Sequence, residues 1–298
     1  MKKSLLASCV ALLLAAASPA QTPLPAPEKE RLVVDLFLRV RNVPVPYVEA
    51  LRTLVGEGFA ARGRHEVIDA EAVRELMSAV PGSGVTTPET AAADQTAFLE
   101  MRAPEAAATG ARYLVSGTLA DYRFAHAELP ATDPKKPPRP GFRSTFRVVL
   151  SALDLKLGER LPDQMFELTA TAPVAETADR AALERIRGQI EYYIDRNFKF
   201  ETTILELCPP DRKGRVRDLY VHSGTRIGVK QGDLFLVYEE VPVGGVMTRQ
   251  KVGRLRVTDV GNPDVARCRI AKGEAEIAAA FAAGRPLICV SDGKAFGF

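Results

Sequence analysis

Residues 47–69 read YVEALRTLVGEGFAARGRHEVID, and the fold turns on how this stretch divides. Val48, Leu51, Leu54, Val55 and Phe59 recur at the spacing of one helical face, which predicts a helix over 47–61. Gly63 supplies the stop, because glycine takes the left-handed conformation that ends helices at little steric cost. Residues 65–68 are then short and β-like. Upstream, 32–40 is a dense apolar run with Val33, Val34, Phe37 and Val40, the pattern of a buried strand. Pro44 and Pro46 break that run before the helix begins.

Working outward, Asp69 is a candidate cap for a second helix over 69–77, with Ala72, Val73, Leu76 and Met77 on one side. A Pro-Gly-Ser-Gly loop follows at 81–84, then an alanine-rich helix over 89–108 with a break expected at Pro104. Residues 113–124 read as a strand. The segment 130–140, PATDPKKPPRP, holds five prolines and three basic residues and is expected to be a loop. Residues 142–155 form a long strand, 156–162 a hairpin turn and 164–171 the return strand. Short connections make these strands antiparallel. Thr177 or Asp179 starts a helix carrying Leu183, Ile186, Ile190, Tyr193 and Ile194.

After Cys208-Pro209-Pro210-Asp211 the pattern changes. Segments 215–221, 233–241, 252–260, 265–271 and 286–290 are short and β-like, with Gly224, Gly228, Gly232 and Gly244-Gly245 in turn contexts. One helix is expected over 274–283, ended by Gly284. The division is therefore a leader at 21–30, an α/β domain at 31–207, a small mostly-β barrel at 211–291 and a tail at 292–298.

The first twenty residues have the three parts of a cleavable secretory signal: Lys2 and Lys3, an apolar stretch of about 13 residues, and the small residues of Ser18-Pro19-Ala20. That stretch is short against the roughly 20 residues of a membrane span. Cleavage is expected after Ala20, which points to the periplasm. Leu6-Ala7-Ser8-Cys9 also resembles a lipobox, but cleavage before Cys9 leaves an unpartnered apolar run at the new N-terminus. No later run is long and apolar enough for a transmembrane helix, and the absence of Trp argues against a membrane β-barrel with aromatic girdles.

Loss of Lys2 and Lys3 lowers the basic count from 40 to 38 against 37 acids, a formal charge of +1. That balance argues against a dedicated nucleic-acid partner. Three cysteines remain, Cys208, Cys268 and Cys289, so at least one is unpaired within the chain. Cys268 and Cys289 sit in apolar runs and are expected to be buried thiols.

Several segments resemble a known group of envelope proteins. Residues 47–69 resemble the helix and strand of proteins related to CsgG, the curli secretion lipoprotein, and of the LpoB-like lipoprotein activators of penicillin-binding proteins. YLVSGT at 113–118 and the LDLKLGER hairpin at 153–160 resemble the next strands of that family. VHSGTRIGVKQGDLFLVY at 221–238 is similar to the C-terminal barrel of flagellar assembly protein T (FlgT). The resemblance implies an α+β protein: a CsgG-like α/β sandwich with antiparallel strands, then a small SH3-like barrel. It implies a non-enzymatic scaffold or assembly role in the periplasm or at the outer membrane, an envelope-protein partner, possible homo-oligomers and no cofactor. The relatives often carry a lipid anchor, and the curli channel inserts hairpins into the membrane. The 130–140 loop is too polar and proline-rich to be such a hairpin.

No catalytic or metal motif appears. His65, His126 and His222 are scattered without a zinc-binding spacing, and no Gly-x-Ser-x-Gly elbow occurs. Gly224-x-x-x-Gly228-x-x-x-Gly232 lacks the closing Gly-Lys-Ser/Thr of a phosphate loop. Glu239 and Glu240 would face opposite sides of a strand. A pair of carboxylates brought together only by folding leaves a periplasmic hydrolase open. The sharpest charge cluster is Arg212, Lys213, Arg215 and Arg217, which reads either as a polyanion or partner contact or as a solvated turn. Lys135, Lys136 and Arg139 form a second such patch on the proline loop. Tyr192, Tyr193, Phe198 and Phe200 read as core packing or a partner surface. A glycan-binding module is the other class, weakened by the lack of Trp.

Overall fold

The structure is a computed structural model that describes residues 25–40, 43–69, 95–131, 135 and 137–294. The export segment with Cys9, the helix expected to follow Asp69, the 81–84 loop, Lys136 and the last four residues of the tail lie outside the described residues.

The fold is α+β. A mixed sheet runs in the order β3-β1-β4-β5-β6, with β2 paired to β4. Its strands are β1 (Glu30–Val34), β2 (Leu38–Arg39), β3 (His65–Asp69), β4 (Tyr113–Leu129), β5 (Arg139–Asp154) and β6 (Glu159–Ala172). Strand β1 lies parallel to both β3 and β4, whereas β4, β5 and β6 form an antiparallel meander. Helix α1 (Val45–Arg62) is the crossover between the parallel neighbours β1 and β3. Helix α2 (Gln95–Ala108) precedes β4, and α3 (Ala175–Glu184) and α4 (Ile186–Asn197) follow β6.

The apolar run at 32–40 is explained by helices on both faces of the sheet. Leu32, Val34, Tyr113 and Val115 join the core that includes Val48, Leu51, Phe59, Ile190 and Tyr193 from α1 and α4. The alternate residues Val33 and Leu114 pack with Leu99 and Ala106 of α2. All five positions expected on the apolar face of α1 are buried. Gly63 ends the helix in the left-handed conformation, φ 77°, and its N–H reaches the carbonyls of Ala60 and Phe59.

The structure corrects several expectations. Helix α2 runs through Pro104 without a break. The ring lies on the exposed side of the helix, while Phe98, Leu99 and Ala106 are buried. Arg102 also grips Asp35 through Nε at 2.7 Å and Nη2 at 3.0 Å, so packing and an ion pair offset one lost backbone bond. The β4–β5 hairpin is longer than expected and enters the proline segment, with Leu129 opposite Arg139 and Glu128 opposite Pro140. Pro140 is tolerated because β6 pairs with β5 only from Phe142 onward. The β5–β6 turn is tighter than expected, since the Asp154 carboxylate accepts from the N–H groups of Lys156 and Leu157 at 3.0 and 3.1 Å.

The second sheet is a closed antiparallel barrel in the order β10-β11-β8-β7-β12-β9. It comprises β7 (Glu201–Leu207), β8 (Asp218–Val221), β9 (Asp233–Val243), β10 (Val246–Asp259), β11 (Ala266–Lys272) and β12 (Leu287–Lys294). Helix α5 (Glu274–Ala282) and a short 3₁₀ turn (Thr225–Ile227) complete it. Residues 201–207, assigned from sequence to the first domain, are a stave of this barrel: Ile204 pairs with Val221 and sits in the barrel core. The prolines at 209 and 210 mark a β7–β8 connection and not a boundary. Strand β12 likewise continues past residue 291, with Lys294 opposite Asp233. Cys268 and Cys289 are fully buried in the barrel core, as expected, and Cys208 is half-buried. All three are free thiols, and burial pushes the Cys268 thiol up to about 12.

One buried ion cluster joins the sheet to the barrel. The Arg62 side chain is 1% exposed. Its Nε donates to Asp195 Oδ1 of α4 at 2.9 Å, its Nη2 to Asp233 Oδ2 of β9 at 2.9 Å, and its Nη1 to the carbonyl of Gly228. Arg64 pairs with the same Asp195 oxygen at 2.8 Å. Backbones also meet here: a Cβ at Gly228, which has φ 67°, would lie 2.1 Å from the Arg62 carbonyl oxygen. Arg62→Met removes the shared cation and leaves two buried carboxylates under-neutralised. It is expected to cost about 3–5 kcal/mol in urea unfolding, and Arg62→Lys is expected to rescue little because an ammonium lacks the planar fork. A loss within about 0.5 kcal/mol, ordinary for a surface substitution, would show that the cluster does not hold the units together.

Candidate functional site

The sequence-marked cluster lies on the β7–β8 connection, and the fold neutralises half of it. Asp211 Oδ1 accepts from the N–H groups of Lys213 at 2.8 Å and Arg215 at 3.0 Å. Those donors, Arg215 first, hold the Asp211 carboxyl down to about 2. Asp211 also pairs with the Arg215 and Arg217 side chains at 3.2 and 3.4 Å, and Arg217 reaches Glu274 at 2.8 Å. Arg212 and Lys213 are exposed and make no ion pair among the described residues. Lys135 and Arg139 lie on the β4–β5 hairpin of the other sheet, Arg139 within β5 itself, so the two patches are not one site.

A larger basic surface was hidden by alternation. On β10 and β11, Arg254-Leu255-Arg256 and Arg267-Cys268-Arg269 each place one buried residue between two arginines. The ladder sets Arg256 opposite Arg269 and Arg254 opposite Lys272. Arg256, Arg267, Arg269 and Lys272 are exposed, and Arg254 is half-buried. Asp218 answers Arg267 at 2.8 Å and Arg269 at 3.4 Å, and Asp292 lies 3.7 Å from Arg254. Arg256 and Lys272 make no ion pair among the described residues. Arg217 extends the patch, because its carbonyl accepts from the Ile270 N–H. The legible signal was a pair of Arg-x-Arg motifs on strands predicted to be consecutive.

The remaining candidates are structural. Glu239 is buried and pairs with Arg285 at 2.5 Å, while Glu240 faces the other side toward Arg249, so the two carboxylates do not converge. Among the described residues no group of His, Cys, Asp and Glu is arranged to hold a metal ion. Gly224, Gly228 and Gly232 bracket the 3₁₀ turn and its exit into β9. Tyr193 and Phe198 are core residues; Tyr192 is exposed, with Arg196 on its hydroxyl at 2.8 Å. Among the described residues no helix is long and apolar enough to cross a membrane.

No family model matches the chain, and no curated protein matches it. Similar solved structures include a PelC dodecamer from Paraburkholderia phytofirmans, 13% identical, covering 57% of this chain and 89% of that one, TM-score 0.33. Lipoprotein GNA1162 from Neisseria meningitidis is 12% identical, over 56% of this chain and 99% of that one, TM-score 0.35. At such identities and TM-scores, neither assigns a role to this chain.

His65 packs edge-on to Phe59, Tyr113 and Phe198 at ring distances of 5.6, 5.7 and 5.2 Å. Burial, then the Arg64 charge, pushes its pKa down to about 3. Between about 3 and the ordinary value of 6.5 the unfolded chain therefore binds a proton that the folded chain does not. The stability His65 supports is complete above pH 6.5 and is lost as pH falls toward 3. His65→Phe is expected to flatten the fall in urea midpoint between about pH 7 and pH 4.5. An unchanged slope would locate the acid sensitivity elsewhere.

Proposed function

We propose that this chain is a non-enzymatic scaffold of the bacterial cell envelope, exported through residues 1–20 into the periplasm, whose barrel docks on an anionic envelope component. The observation that carries the reading is the like-charged ladder on β10 and β11. Arg256 faces Arg269, and Arg254 faces Lys272, on the outer surface. Like charges directly opposite on a sheet destabilise it; Asp218 and Asp292 answer Arg269 and Arg254, which leaves Arg256 and Lys272 as the cations an anionic partner would neutralise. The exposed Arg212 and Lys213 add to the same reading, and Lys135 and Arg139 supply a separate basic contact on the β4–β5 hairpin.

The strand–helix–strand unit with its antiparallel meander supports a CsgG-like first domain, and the closed barrel with its 3₁₀ turn supports an SH3-like second one. Both lead to docking rather than chemistry.

The test is crosslinking in intact cells, with purification of the tagged chain and mass spectrometry of what accompanies it. A defined envelope complex is expected. Reversing Arg256 and Arg269 to Glu is expected to weaken its recovery roughly tenfold or more, and added salt to weaken wild-type binding. Recovery of the chain alone, or a double reversal that binds as wild type, would remove the barrel face as the docking surface.

A further inference from the structure

A cavity of about 370 Å³ lies where the sheet unit meets the barrel. Its walls include Arg64 and His65 just after α1, Tyr113 of β4, Phe198 and Phe200 from the connection between α4 and β7, and Ile227 of the 3₁₀ turn. That volume is within the range of small-molecule sites, roughly 300–1,000 Å³.

The charges on its wall are unevenly answered. Of the wall carboxylates, Glu30 is engaged by Arg112 and Glu201 by Arg249, while Glu28 makes no ion pair among the described residues. Lys199 stands at the wall, 3.7 Å from Asp292. Arg64 is different. Its side chain is 4% exposed, yet among the described residues its one ion pair is to an Asp195 oxygen already bonded to Arg62. Arg64 Nε and Nη1 are buried without a hydrogen-bond partner among the described residues. The guanidinium lies over the Phe200 ring, 5.3 Å from its centroid. Buried polar donors are almost always satisfied in folded proteins, and an unsatisfied charged one is costly. Among the described residues, the cavity-lining His65 is in the same state, its Nδ1 lacking a partner.

We propose that this cavity binds a small organic oxyanion, a carboxylate or phosphate on an apolar body. The head group takes the open donors of Arg64, with Lys199 contributing charge at the rim, and the body packs on Phe198, Phe200 and Ile227. The site is separate from the basic face of β10 and β11. Its ligand touches both units, so occupancy tightens the junction that Arg62 also holds.

The experiment is thermal unfolding and calorimetric titration of the purified mature chain with phenylacetate and phenylphosphate. Acetate, inorganic phosphate and chloride at equal ionic strength are the controls. One or both aromatic oxyanions are expected to raise the Tm saturably; whichever does so identifies the head group. The controls are expected to act at least tenfold more weakly. Arg64→Met is expected to abolish the shift. Lys199→Glu, on an exposed side chain, is expected to keep the fold and to weaken binding several-fold. The proposal is overturned if neither aromatic ligand shifts the Tm beyond its control, in which case water fills the cavity. It is also overturned if the shift persists in Arg64→Met. Should that variant not fold, unchanged binding by Lys199→Glu overturns it equally. Barrel-face reversals at Arg256 and Arg269 leave this shift intact, which separates the two sites.

Discussion

The Arg62 guanidinium is the fixed point on which the arrangement of the two sheets depends. A cation at the C-terminus of α1 is favourable in itself, since unpaired carbonyls make that end of a helix negative. Here the cation is also withdrawn from water and shared among Asp195 of α4, Asp233 of β9 and the Gly228 carbonyl. The cost of desolvation on this scale is offset here because the guanidinium nitrogens each find an acceptor. The junction is therefore sensitive to position, and Gly228 at the crossing has no room for a side chain. Arg64, two residues on, draws on the same Asp195 oxygen and is left short of acceptors. A well-satisfied arginine beside a poorly satisfied one is the electrical signature of this interface.

Much of the fold was legible because it rests on periodicity. The helical spacing of Val48, Leu51, Leu54, Val55 and Phe59 and the doubly apolar run at 32–40 are local consequences of which faces are covered. What was not legible depends on distant partners. Pro104 sits within a helix because its ring faces outward and the helix is pinned by Phe98, Leu99 and Arg102. Strand β7 belongs to the barrel because Ile204 pairs with Val221, a relation that two prolines in between conceal.

The candidate surface shows the same division. A run of basic residues in sequence reads as a strong patch, yet Asp211 answers Arg215 and Arg217, and Glu274 answers Arg217 again. The arginines of β10 and β11 look weaker in sequence because Leu255 and Cys268 interrupt them. A strand sends alternate residues to one side, and two such strands add their charges across the ladder. Charge density on a sheet is thus a property of register, whereas charge density along a chain is often cancelled by the turn that contains it.

The interior of the barrel has a consequence for timing. Cys268 and Cys289 are fully buried, and burial holds both as protonated thiols, whereas disulfide exchange proceeds through the thiolate. In the closed barrel they are chemically silent; in the unfolded chain they are ordinary cysteines. In an oxidising compartment, closure of six strands therefore competes with oxidation, and a chain that folds first keeps its thiols as a latent record of any later opening.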